Sequence, residues 1–101
     1  MPKFNVDVTH NQNRDEVIKK LRSFMQSALQ DAAETVSEVE ETWDENDNLN
    51  FAFSAMGFRV SGKMVTDDEK ITVGGELPFA ALPFRGALEK QLAGKLNEAI
   101  A

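Results

Sequence analysis

The sequence predicts an α+β domain in which one antiparallel sheet of about five strands carries two helices on one face. Three observations predict it. Five short segments alternate apolar and polar residues with the period of two that gives a strand one buried face. Two longer segments repeat apolar residues at spacings of three and four, which gives a helix one apolar stripe. Elements that are each apolar on one side have a simple two-layer solution, helices on one sheet face and water on the other. The 101 residues are read as a single domain, 1–101, large enough to bury a core without staples.

Phe4, Val6 and Val8 alternate with Lys3, Asn5 and Asp7, giving a first strand over about Lys3 to Thr9. The polar run His10-Asn11-Gln12-Asn13 leads into a helix, with Asn13 placed to cap it and Glu16 to complete a capping box. Val17, Leu21, Phe24, Met25, Ala28, Leu29, Ala32 and Val36 form its stripe, so the helix is expected from Arg14 to Glu34. Lys19, Lys20 and Arg22 fall on or beside its polar side and read as a solvated face.

From Thr35, Val39, Glu41 and Trp43 alternate with Glu38, Glu40 and Thr42, a second strand. The turn formers Asp44-Glu45-Asn46-Asp47-Asn48 then join it to a third, where Leu49, Phe51, Phe53 and Ala55 share one face. Met56-Gly57 interrupts the rhythm before Phe58, Val60, Gly62 and Met64 resume it as strand four. Thr66-Asp67-Asp68-Glu69 reads as the next turn, and Ile71 and Val73 mark a fifth strand ended by Gly74-Gly75. Four consecutive strands with short turns suit a meander. Pro83 suits the first turn of a closing helix, in which Leu88, Leu92, Leu96 and Ile100 recur every four residues. The order is thus β-α-β-β-β-β-α, with Lys3, Asp7, Glu40, Asn50, Ser54, Arg59, Lys63 and Thr72 on the wet face of the sheet.

Composition narrows function. The formal charge is −6, with no cysteine, no tyrosine, one histidine and one tryptophan. Without thiols there is no disulfide framework, thiolate nucleophile or Cys-based metal site, and the cytoplasm is the default location. Between Ser23 and Phe58 there are eight acids and no Lys or Arg, so that segment holds the whole negative excess and the remainder is slightly basic. This argues against nucleic acid and against anionic membranes, both of which need clustered cations. No apolar run approaches the ~20 residues of a membrane span, and the start Met1-Pro2-Lys3-Phe4-Asn5 lacks the apolar core of an export signal.

The chemical candidates each meet a simpler reading. Asp44-Glu45-Asn46-Asp47-Asn48 alternates acids and amides like the start of a calcium loop, but Leu49 stands where the loop needs Gly and Ala55 where it needs a bidentate Glu. An acidic hairpin turn is the better reading. His10 has Asp7 near in sequence but no placed acid–base partner, so a surface or capping role is expected. Gly74-Gly75 lacks a following Gly-Lys-Ser/Thr and is no phosphate loop. Ser54 and Ser61 lack the framing of a nucleophile elbow, and Glu40 and Asp44 lie on a solvent-facing run. No catalytic residue, cofactor or metal is expected, and Trp43 is assigned to the core or the sheet edge.

Several features together resemble a known family. They are the Met1-Pro2-Lys3-Phe4 opening, His10 before a long helix, Trp43 with Asp47 and Leu49-Asn50-Phe51, the Gly57 and Gly62 pair around a strand, the Asp67-Asp68 turn, and Leu77-Pro78 before the last helix. In these, over essentially the whole chain, the sequence resembles the polyhydroxyalkanoic acid system family, small bacterial proteins of storage-granule regions. The resemblance implies a β-α-β-β-β-β-α domain without an established catalytic site.

The apolar segment Leu77-Pro78-Phe79-Ala80-Ala81-Leu82-Pro83-Phe84 holds two Leu-Pro-Phe units five residues apart. It either covers the end of the core, as a hydrophobic staple does, or leaves an exposed patch for a partner. Leu77, Phe79, Leu82 and Phe84 are accordingly the candidate interaction surface. With the resemblance, the function expected is a non-catalytic, cytoplasmic protein that meets a polyester granule surface or a granule-associated protein through that patch. The alternative is a carrier of a small hydrophobic ligand in a cavity lined by Phe51, Phe53, Phe58, Val60 and Leu88. A third reading is a homodimer that uses a free strand edge or a helix face.

Overall fold

A computed structural model describes residues 2–31 and 34–101. Its elements are β1 (Lys3–Thr9), α1 (Arg14–Asp31), β2 (Val36–Trp43), β3 (Leu49–Ala55), β4 (Phe58–Thr66), β5 (Lys70–Glu76), a 3-10 helix (Phe79–Phe84) and α2 (Arg85–Ile100). All neighbouring strands are antiparallel, in the order β1-β5-β4-β3-β2. This is the predicted α+β fold: β2 to β5 form the meander, and β1 adds to its far edge. Because β1 and β2 are opposite edges, α1 has to cross the whole sheet. Its 18 residues reach ~27 Å, enough for the ~19 Å across four strand spacings.

The helix begins where Asn13 Oδ1 accepts the Asp15 N–H at 2.8 Å, the cap that the sequence offers. It is described to Asp31 rather than to Glu34, which lies in a turn. Ala32 falls outside the described residues, and Val36 opens β2 instead of continuing the helical stripe. Lys20 and Arg22 are more than a solvated face. Lys20 Nζ donates to Gln12 Oε1 at 2.6 Å, and Arg22 lies 4.2 Å from the centroid of the Trp43 ring while donating to Asp47 Oδ1 at 2.8 Å.

Strand pairing aligns the core in rows across the sheet. Trp43, Leu49, Met64, Val73 and Val6 are successive cross-strand partners, as are Glu41, Phe51, Gly62, Gly75 and Phe4 in the next row. The second row explains why β5 does not stop at Gly74-Gly75. A Cβ on Gly75 would meet the Ser61 carbonyl oxygen and lie 2.7 Å from the Phe4 ring, and one on Gly62 would lie 2.8 Å from the Phe51 ring. The two glycines make room for two phenyl rings to lie over the sheet, and β5 continues through them to Glu76. At β2 an irregularity between Ser37 and Glu40 adds a residue against β3, and Glu38 there adopts φ 51°. Such a bulge twists an edge away from further pairing.

α2 packs on β1 and α1, and Val17, Leu21, Leu96 and Ile100 are buried with the first row. Met25, Phe53, Phe58, Leu88 and Leu92 are only partly buried against that core. The layer is therefore tightly closed where α1 begins and α2 ends, and looser toward Phe58.

Two turns are built on aspartates. Asp67 Oδ1 accepts the N–H groups of Glu69 and Lys70 at 2.8 and 2.7 Å, so the turn needs only three residues and Thr66, expected in it, is a buried member of β4. Asp44 Oδ1 accepts the N–H groups of Asn46 and Asn48 at 2.8 and 3.0 Å. These bonds favour the ionised form. They hold Asp67, and through Asn48 above all Asp44, below the ordinary carboxylate value of 3.8.

This packing and turn chemistry can be tested by substitution and by pH. Gly75→Ala drives a methyl group into the Phe4 ring and the Ser61 backbone, and should lower unfolding stability in urea by about 1–3 kcal/mol. A lowered folded-state pKa contributes stability that is present above the unfolded value and lost as pH falls through the folded one. Urea midpoints of the wild type should therefore decline once pH drops below 3.8. In Asp67→Asn that acid decline should be smaller; an identical decline would remove Asp67 as a contributor.

Candidate functional site

The Leu77 to Phe84 segment divides by burial. Leu77 and Ala81 are buried, at 2% and 3% exposure, whereas Phe79 is 71%, Phe84 49% and Leu82 39% exposed. Leu77 is thus not part of an exposed surface: it continues the β5 ladder, donating its N–H to the Pro2 carbonyl at 2.9 Å, and its side chain enters the core. The 3-10 helix accounts for the rest. Residues three apart eclipse in such a helix, which stands Phe79 and Leu82 on one side while Ala81 holds the inner side. Pro78, with φ −62°, and Pro83 restrict the backbone, so the exposed side chains are carried on a stiff support.

The patch extends beyond this segment. The Phe84 ring lies 6.1 Å from that of Phe58, centroid to centroid. Met56, in the tight turn before β4, is 79% exposed but borders a depression with Ser37, Glu38 and Ser54. Met56 and Gly57 have φ of 55° and 82°, the left-handed pair that a two-residue hairpin requires. In the sequence Met56-Gly57 registers only as a break in the strand rhythm.

The cavity proposed for a carrier has different walls. Val60 is buried, and Phe51, Phe53, Phe58 and Leu88 are half-buried against the core. A groove of ≈ 530 Å³ lies instead between β1, β5 and α2, lined by Lys3, Phe4, Asn5, Gly74, Gly75, Glu76, Arg85 and Glu89. Its polar side is occupied by contacts within the chain, since Glu89 Oε2 accepts the Asn5 N–H at 2.9 Å.

The polar candidates are engaged structurally. His10 Nδ1 accepts the Gln12 N–H at 3.1 Å, which makes Nε2 the protonated nitrogen that donates to the Asp67 carbonyl at 2.8 Å. That fixes the neutral tautomer and ties the loop before α1 to the β4–β5 turn. Asp7 accepts from Asn5 Nδ2 at 3.3 Å. Asp44, first of the calcium-like run, gives one carboxylate oxygen to two backbone amides and lies 4.0 Å from Lys63 Nζ. Glu40 pairs with Arg59 at 2.6 Å. Trp43 sits half-buried on the edge strand and donates to Glu41 Oε2 at 2.9 Å. Among the described residues no group of three or more His, Asp or Glu side chains could hold a metal ion, and no helix is long and apolar enough to cross a membrane.

Comparison with known proteins places this geometry. The crystal structure of TTHA0849 from Thermus thermophilus superposes with a TM-score of 0.60 at 14% identity, over 98% of this chain and 94% of that one. At that identity the likeness is one of fold. No curated protein matches the chain. The family model described as "Putative polyhydroxyalkanoic acid system protein" matches residues 4–100, and the chain belongs to that family.

Proposed function

We propose that the protein is a non-catalytic, cytoplasmic binding protein that attaches to the surface of polyester storage granules, or to a protein on them, through Phe79, Leu82 and Phe84 with Phe58. The observation that carries this reading is the exposure of Phe79, Leu82 and Phe84 on a proline-stiffened segment anchored by Leu77 and Ala81. Apolar side chains held rigidly in water lose little conformational freedom on binding, and an apolar polymer offers a matching surface. Family membership supports the choice of polymer class. The engagement of His10 and Asp44 with backbone groups supports a role without chemistry.

A second reading, carriage of a small hydrophobic ligand between the sheet and α2, draws on the half-buried Phe51, Phe53, Phe58 and Leu88. It differs in stoichiometry: a carrier saturates at one molecule of a fluorescent acyl probe per chain, whereas surface attachment scales with granule area.

The test is co-sedimentation with purified polyester granules, comparing wild type with Phe79→Ser/Phe84→Ser. Full burial of a phenylalanine is worth about 1.5–3 kcal/mol, so the double variant should partition at least about ten-fold less at equal granule area. Wild-type binding should persist in high salt, since apolar contact is not screened. Absence of wild-type binding, or equal binding of both proteins, would reject the patch as the contact.

A further inference from the structure

The helix α2 is held unevenly. At its end, Leu96 and Ile100 are buried, and the Ile100 carbonyl accepts from Gln12 Nε2 at 2.6 Å and Lys20 Nζ at 3.5 Å. Ahead of it, Leu77 and Ala81 anchor the 3-10 helix. Between these anchors, Leu88, Leu92 and Ala93 are only partly buried, and the first turn of α2 has neither a side-chain cap nor an acidic residue. Two side chains tie this stretch to β1: Glu89, which accepts the Asn5 N–H at 2.9 Å, and Arg85, whose Nη1 reaches the Lys3 carbonyl at 3.5 Å. Both ties are solvent-exposed.

Two glycines bracket the same stretch. A Cβ placed on Gly86 or on Gly94 would meet nothing within 4 Å, so no packing requirement keeps a side chain out, in contrast to Gly62 and Gly75. Each glycine weakens the helix relative to alanine and gains no contact in return. The rest of the helix is rich in Ala, Leu, Glu, Lys and Gln, which favour helix. The weak points therefore coincide with the ends of the segment that is least buried.

We infer that the two turns of α2 between Gly86 and Gly94 open as a unit away from β1, while the 3-10 helix and the last turn of α2 stay in place. Opening releases the Asn5 N–H from Glu89 and uncovers the Phe4 side of the groove between β1, β5 and α2. It makes this groove a gated one, and it is independent of whether the patch at Phe79 and Phe84 binds granules.

Amide hydrogen exchange on the isolated protein tests it under conditions where reclosing is faster than exchange. The amides of residues 89–93 report on the segment, and those of Ala99 and Ile100 on the anchor beyond it. In the wild type, 89–93 should exchange at least about ten-fold faster than Ala99 and Ile100, the reverse of simple fraying from the chain end. Gly94→Ala should slow 89–93 about five-fold, the helix-propensity difference between the two residues. Gln12→Ala removes a contact that the opened state keeps, so it should speed Ala99 and Ile100 and leave 89–93 unchanged. The inference is overturned if all of α2 exchanges at one rate, if Gln12→Ala speeds 89–93 as much as the helix end, or if Gly94→Ala leaves 89–93 as fast as before.

Discussion

The packing of two phenyl rings over two glycines organises the rest of this structure. Phe51 and Phe4 approach from opposite sides of the row in which Gly62 and Gly75 face each other on β4 and β5. A one-residue slip of any of these strands would turn its ring or its glycine to the other face of the sheet. The row therefore sets the register of four strands at once. It also docks β1 from the start of the chain onto β5, so the long crossover of α1 follows from it. With β1 on that edge, α2 finds a surface to pack on, and both helices lie on the same face.

The polar chemistry follows from the same arrangement. The negative excess lies in a segment without a cation of its own, and it is joined to the rest of the chain by Arg22 to Asp47, Arg59 to Glu38 and Glu40, and Lys63 to Asp44. Each of these is a surface pair, and such pairs contribute little stability individually. Their effect is positional: they align β2 and its loop with α1 and β4. Arg22 does most, because it stacks on Trp43 while it pairs with Asp47. The acids that a sequence reader examines for metal or catalytic roles are in this way committed to turns and ion pairs.

The fold was legible because period-two and period-four patterns report directly on which face of an element is dry. The order of elements along the chain, the meander and both helices could be read from residues such as Phe4, Val6 and Val8 or Leu88, Leu92 and Leu96. The errors have a common cause in residues whose local preference and tertiary role diverge. Gly74-Gly75 reads locally as a strand breaker, and only the distant Phe4 ring explains why the strand passes through it. Val36 fits a helical stripe by spacing and begins a strand because the chain has by then crossed the sheet. Lys20 and Arg22 read as solvated, since their partners lie 8 and 25 residues further along or back in the chain. The apolar segment from Leu77 to Phe84 was recognisable in the sequence, but its division into buried and exposed residues was not.

That division has a geometric origin. The two Leu-Pro-Phe units lie on different backbone: Leu77 continues the β5 ladder and Pro78 is extended, whereas Leu82, Pro83 and Phe84 belong to the 3-10 helix. Identical tripeptides therefore present different faces. Leu77 points into the core while Leu82 points out, and Phe79 stands free while Phe84 leans back onto Phe58. The apolar side chains splay instead of converging. A convergent set of aromatics would enclose one ligand, as a pocket does. A splayed set on a stiff backbone covers area without enclosing anything, and that geometry suits a broad apolar surface better than a discrete small molecule.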